Sequence, residues 1–214
     1  AARVCADRGY DEVNLNLGCP SGTVTAKGRG SGFLRFLPEL DRFLEEIFAT
    51  SPLPISVKTR IGYADEEEWP AILELLMKYP FTEMIIHPRL RMDLYRGAVR
   101  PKTYELAVEK TAKEKKASDY LCYNGDINTV EDYEALQLRF PGTERVMLGR
   151  GLIGDPGMFT PGGTTAEKLQ QFHDELLDAY TQAFGSSRNA MFRMKENWRH
   201  WLCKFQNSEK LGKR

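Results

Sequence analysis

Val13-Asn14-Leu15-Asn16-Leu17-Gly18-Cys19-Pro20 alternates apolar and polar residues and then stops on glycine, cysteine and proline. A period of two is that of a β-strand with one face buried. Pro20 fixes the turn that follows, and Gly18 lets another group approach the backbone closely. Cys19 therefore lies just past a strand end. A lone cysteine is more often a buried structural residue, but this Gly-Cys-Pro setting favours an exposed one.

The same pattern recurs along the chain. Ile55 to Ile61 alternates, and Met84-Ile85-Ile86-His87, Tyr120-Leu121-Cys122-Tyr123 and Val146-Met147-Leu148 are short apolar runs closed by Gly, Pro or Asn. Helical patterns lie between them, at roughly 38–49, 65–79, 101–116 and 129–140, with Asp65 and Thr129 as N-caps. Strand-then-helix repetition implies parallel strands with crossover helices. Cys19 to Lys58 is 39 residues, Lys58 to His87 is 29, His87 to Asn124 is 37 and Asn124 to Gly149 is 25. A (β/α)₈ TIM barrel averages about 31 residues per unit. A doubly wound sheet is the rival, but no G-x-G-x-x-G follows a first strand. The fold class expected is therefore α/β, a partial TIM barrel of about five of eight units followed by a helical C-terminal segment. Ala1-Ala2-Arg3-Val4-Cys5-Ala6 reads as the end of a helix, so the first three units are expected to be missing. The expected domains are a catalytic barrel over 1–160 and a helical region over 161–214. In the latter, Thr164 to Glu167 fits a capping box, and a second helix starts at Asn189.

Polar residues gather at the strand ends, where such barrels keep their active sites. Lys58 and Arg60 share one strand face, opposite Ile55, Val57 and Ile61. His87 and Arg89 repeat the arrangement, although a histidine closing an apolar strand can also be a core residue. Asn124-Gly125-Asp126 and Gly149-Arg150-Gly151 close the last two strands. In a TIM barrel those loops form the usual phosphate site. Lys27-Gly28-Arg29-Gly30-Ser31-Gly32 is not a P-loop, since no Gly-Lys-Ser/Thr follows in register. It reads as a mobile loop beyond Cys19, either a lid or a plain connector.

The net charge is zero, but residues 188–214 hold eight Lys/Arg against two Asp/Glu, leaving minus six elsewhere. That tail suits an anionic partner, with a solvated helix face as the bland alternative. The four cysteines lie far apart, with no metal-ligand spacing, which favours neither a metal site nor a disulfide framework and suits a reducing cytoplasm. No apolar run reaches the roughly 18 residues of a membrane span.

Five stretches together resemble the tRNA-dihydrouridine synthase family: residues 14–20, Ser56-Val57-Lys58-Thr59-Arg60-Ile61-Gly62, His87-Pro88-Arg89, Asn124-Gly125-Asp126-Ile127 and Gly149-Arg150-Gly151. They stand in the family's order, and the tail from Met191 to Trp198 looks like the start of its RNA-contacting helical domain. The resemblance implies FMN in the barrel mouth, NADPH (or NADH) as reductant, and tRNA as substrate, its uridine reduced to 5,6-dihydrouridine. Cys19 matches the proton donor to C5. A free thiol titrates near about 8.5, so it can act as an acid at neutral pH. By the same match Lys58 and His87 contact the flavin, and Asn124, Gly125, Asp126, Gly149 and Arg150 hold the ribityl phosphate. Asn16 hydrogen-bonds the target uracil, Arg60 sits close to it and Arg89 belongs to the substrate- and tRNA-binding set; the uridine must leave the stack to react. Lys195, Arg199 and Lys204 meet tRNA phosphates. Two flavin contacts of the family, a first-strand backbone and a third-strand glutamine, have no counterpart here. A chain that binds RNA without catalysis, and a flavin barrel acting on a small molecule, are the competing readings.

Overall fold

The computed structural model describes residues 1–114, 120–202 and 205. Lys115 and Lys116 of the expected third helix, together with Cys203 and Lys204, lie outside the described residues. The described chain forms two compact units: residues 1–125 with 139–147, and residues 126–138 with 148 onward.

The first unit is built on a five-stranded sheet. Its strands are β1 (Val13–Leu17), β2 (Ile55–Gly62), β3 (Met84–Leu90), β4 (Leu121–Tyr123) and β5 (Arg145–Val146). They run parallel in the order β1-β2-β3-β4-β5. Each strand is followed in space by the next, so the order never reverses as it would in a doubly wound sheet. This is the α/β fold expected, an arc of a (β/α) barrel. Helices α1 (Ala2–Asp7), α2 (Gly22–Thr25), α3 (Leu37–Thr50), α4 (Trp69–Met77) and α5 (Pro101–Lys113) complete the unit, with the C-terminal end of α6 (Val130–Arg139).

Alternation decides which side chains meet the helices. Ile55, Val57, Ile61, Met84, Ile86, Leu90, Leu121 and Tyr123 are buried, as are Leu40 and Leu44 of α3, Ile72, Leu73 and Leu76 of α4, and Tyr104 and Ala107 of α5. Two polar tips in this core find partners: Trp69 Nε1 donates to Thr103 O at 2.7 Å, and the Tyr104 hydroxyl meets Thr143 Oγ1 at 3.1 Å.

The expected strand end at His87 is corrected: β3 runs on through Pro88 to Leu90. The register slips between Arg60 and Gly62 of β2, opposite Pro88 and Arg89, so the missing proline N–H falls at a bulge. Asp65 caps the turn before α4 in a reciprocal box with Glu68, and Thr129 Oγ1 accepts from Asp132 N at 3.1 Å.

The second unit holds the start of α6 with α7 (Arg150–Gly154), α8 (Ala166–Phe184) and α9 (Ser187–Trp201). Leu169, Met194 and Trp201 are its core, with Leu176, Leu177, Tyr180 and Trp198 packed on them. Trp201 Nε1 donates to Ile153 O at 2.7 Å, fixing α9 on α7. The cap of α8 is Thr165, one residue later than expected. Thr164 is occupied elsewhere, bonding Gly157 N and the Asp155 carboxylate. Helix α9 begins two residues earlier than expected, because the Ser186 hydroxyl accepts from Asn189 N. Among the described residues no helix is long and apolar enough to cross a membrane.

Candidate active site

Parallel register sets residues of equal height side by side on the sheet face away from α3, α4 and α5. Asn16, Lys58, Ile85, Cys122 and Arg145 form one row. Arg60 and His87 lie in the row above, nearer the C-terminal strand ends. The expected site residues Asn16, Lys58, Arg60 and His87 are thus gathered in the first unit at one end of the sheet. Cys19, Arg89, Asn124 and Gly125 stand at or just past the ends of the same strands.

Every backbone polar group of the Gly18–Cys19 pair is engaged. Asn16 Oδ1 accepts from Gly18 N at 3.1 Å and from Cys19 N at 2.9 Å. Arg60 Nε donates to Gly18 O at 3.1 Å. Cys19 O accepts from Ser31 N at 3.1 Å and Ser31 Oγ at 2.8 Å. The Asn16 amide is oriented by this, since only its oxygen can accept two N–H groups. Its Nδ2 donors make no bond to the described residues. The cysteine itself is half-buried and free.

Ser31 was not singled out by its residue type. It belongs to the glycine-rich stretch expected to be mobile, and that expectation is corrected. Gly30 to Arg35 is a 3₁₀ turn in which Gly30, Ser31, Gly32 and Leu34 are buried. A Cβ on Gly30 would lie 2.7 Å from Cys19 O and 2.9 Å from Cys19 Cβ, and its φ is +56°. The glycines here serve close packing against the cysteine turn.

Arg60 is 1% exposed, and besides Gly18 it donates to Leu90 O at 2.7 Å. Arg89, 2% exposed, donates to Gly97 O and to His87 Nε2, the latter at 3.3 Å. An arginine can only donate, so His87 Nε2 accepts and the ring proton sits on Nδ1. Asn124 Nδ2 donates to Met147 O at 2.8 Å, tying β4 to the end of β5. Gly125 is packed by its own chain: a Cβ there would meet Val99 Cγ1 at 2.9 Å.

Lys58 differs from these. It is half-buried, with no carboxylate or hydrogen-bond acceptor in reach among the described residues. Burial, and secondarily the Arg60 charge, bring its pKa down to about 8. An uncompensated cation of this kind fits a group that is, or becomes, anionic beside it.

In the second unit, Arg150 pairs with Asp126 at 2.8 Å, and both are substantially exposed. Asp126 adopts a φ of +43°. Gly149 has open space where a side chain would stand, whereas a Cβ on Gly151 would lie 2.2 Å from Ile127 O. Lys195 and Arg199 are exposed on α9, with Lys195 over the Phe192 ring at 5.2 Å. Among the described residues no cluster of His, Cys, Asp and Glu could hold a metal ion.

Comparison with known proteins places the chain in a family. The family model for dihydrouridine synthase (Dus) matches residues 1–207. A probable tRNA-dihydrouridine synthase of Staphylococcus epidermidis is 32% identical over 154 residues, 72% of this chain and 46% of that protein. One from Staphylococcus aureus is 30% identical over 173 residues, covering 81% and 50%. Probable tRNA-dihydrouridine synthase 2 of Bacillus subtilis is 31% identical over 175 residues, covering 81% and 51%. The chain spans about half the length of the curated relatives it matches. A cysteine turn and an uncompensated lysine, on a parallel sheet whose whole sequence matches one family model, lead to one assignment: the chain belongs to the dihydrouridine synthase family.

Proposed function

We propose that this chain carries the flavin- and uridine-facing part of a tRNA-dihydrouridine synthase, with Cys19 as the proton donor. The observation that supports this most is the Gly18–Cys19 turn, whose four backbone polar groups are all held by Asn16, Arg60 and Ser31. A general acid works only if its proton is delivered from a fixed place.

FMN, if bound here and reduced by NADPH or NADH, would supply hydride for C6 of the uracil ring. Reduction at C6 would leave negative charge shared between C5 and the C4 carbonyl oxygen, so that C5 would need a proton. Cys19 Sγ–H gives its proton to C5, which completes the second C–H bond, and the thiolate regains a proton from solvent. Asn16 offers its unengaged Nδ2–H groups to a uracil carbonyl. Lys58 would hold positive charge beside the flavin ring. His87, whose Nε2 is engaged by Arg89, would contact the flavin. Asn124 and Gly125 of the first unit are proposed for the ribityl phosphate; taken by themselves, Asp126, Gly149 and Arg150 of the second unit are proposed as phosphate contacts. Arg60 and Arg89 act through what they hold: Arg60 through the Gly18 carbonyl, Arg89 through His87 and Gly97. Lys195 and Arg199 are proposed to meet tRNA phosphates. Free thiols at Cys5, Cys19 and Cys122 suit a reducing cytoplasm.

The test is Cys19→Ala. Loss of a positioned general acid lowers rate by about 10²- to 10⁴-fold. Dihydrouridine in tRNA, read by mass spectrometry, should fall by that much while flavin absorbance in the purified protein is unchanged. Turnover retained at the wild-type rate would sink the proton-donor role.

A further inference from the structure

Two arginines converge at the C-terminal strand ends with no counter-charge. Arg35, at the close of the 3₁₀ turn, stands over the Tyr63 ring at 4.3 Å. Arg91, just past β3, stands over the same ring at 5.3 Å. Both also reach Thr25: Arg35 Nη2 donates to Thr25 O at 3.4 Å, and Arg91 Nη2 to Thr25 Oγ1 at 3.3 Å. Thr25 is buried, and Arg91 N is bonded to Gly62 O at 2.9 Å, so the ring, the threonine and the Arg91 backbone are anchored to β2 and α2.

Neither guanidinium has a carboxylate partner among the described residues. Arg91 Nε is buried without an acceptor. Its other contact is the weak acceptor Met92 Sδ at 3.4 Å. Like charges held together in this way repel, and a buried donor without an acceptor is costly. Solvated surface arginines do not share a ring and a threonine. An anion lying against the exposed Arg35 and the open edge of Arg91 removes the repulsion and uses their remaining N–H groups.

We infer that Arg35 and Arg91, braced by Tyr63 and Thr25, form a binding site for a phosphodiester group of a single-stranded RNA segment. Arginine is suited to this ligand because its planar fork matches two phosphate oxygens. The location supports a polynucleotide rather than a free ion: Gly30 and Ser31, which pack on Cys19, lead directly into Arg35. A strand whose uridine sits at Cys19 must carry its phosphates past this turn. The inference rests on the uridine-reductase reading for its choice of RNA, but not for the presence of an anion site.

The experiment measures binding of a fluorescent five-nucleotide RNA with a central uridine to the full chain across a salt series. Wild type is compared with the double variant Arg35→Gln/Arg91→Gln and with Arg42→Gln, an exposed arginine on α3. Thermal melting confirms that each variant is folded. The double variant should bind at least tenfold more weakly, with the slope of log affinity against log salt reduced by about 0.7, the value for one lost phosphate contact on a single strand. Arg42→Gln should bind as wild type does. Equal affinity and slope for the double variant would overturn the inference. So would an equal loss in Arg42→Gln, absence of RNA binding by the wild type, or inorganic phosphate binding that depends on Arg35 and Arg91 while RNA binding does not. Dihydrouridine formation is read on the same samples. Arginine-dependent RNA binding without turnover keeps the phosphodiester site and rejects only the reductase reading.

Discussion

At the scale of single residues, Lys58 carries the clearest pH signature. Its folded value of about 8 lies below the ordinary lysine value of 10.5, chiefly through burial. Between those two values the unfolded chain binds more protons at this site than the folded chain does. Stability from this group therefore rises as pH goes from about 8 to 10.5, and the cost of burying the charge is fully present below 8. Replacing Lys58 by Met should raise the melting temperature at pH 7, by about 2–4 °C per kcal/mol relieved, with the difference shrinking above pH 8. The same variant should bind FMN more weakly at pH 7, because its positive charge is gone. Wild-type FMN affinity should fall as pH passes 8 and approach that of the variant. A wild-type affinity flat from pH 7 to 9.5, read by fluorescence quenching of the flavin, would remove Lys58 from the flavin site.

At the scale of elements, the contrast lies between what periodicity reveals and what packing decides. Strand β1 was legible to the residue, since Val13 to Leu17 alternates, with Asn14 and Asn16 exposed and Val13, Leu15 and Leu17 turned inward, Leu17 buried. Lys58 was legible too, because a cation two positions from another on a strand must share its face. The 3₁₀ turn was not. Gly28, Gly30 and Gly32 bring no apolar side chain to a pattern, and a glycine run looks the same whether it is loose or packed. What separates the cases is a partner 12 residues away, the Cys19 carbonyl that Ser31 holds. Arg35, Tyr63 and Arg91 were missed for a similar reason: three segments converge there, and none carries a motif. Gly30→Ala tests the packed reading. A methyl at this position meets Cys19 O and Cys19 Cβ below contact distance, and its φ of +56° is strained for alanine. The expected cost is about 1–3 kcal/mol. The variant should also alter the rate at which a maleimide alkylates Cys19, with Cys5 of α1, half-buried like Cys19, as internal control. Unchanged stability and unchanged Cys19 reactivity would mean that the turn is as loose as its composition suggests.

For the molecule as a whole, formal charge sums to zero, so no general field draws RNA to it. Affinity for a polyanion has to come from where the cations stand. On α9 the placement is uneven in a telling way. Arg193 is neutralised by Glu196 at 3.0 Å, while Lys195 and Arg199 are exposed and have no ion pair among the described residues. If only net charge mattered, exchanging neighbours would change nothing. The paired exchange Lys195→Glu with Glu196→Lys keeps the total at zero. It places an acid where the proposed phosphate contact stands, and it turns the Arg193 ion pair into a repulsion. Each effect on fold stability is small, because exposed pairs contribute about 0–1 kcal/mol. The effect on RNA is larger, because an attraction to phosphate is replaced by a repulsion at the same place. Binding of full-length tRNA should weaken, and the salt slope should fall by about 0.7–0.9, depending on whether the bound segment is single- or double-stranded. An exchange variant that melts like the wild type and binds tRNA with the same affinity and slope would place the tRNA contacts somewhere other than this face of α9.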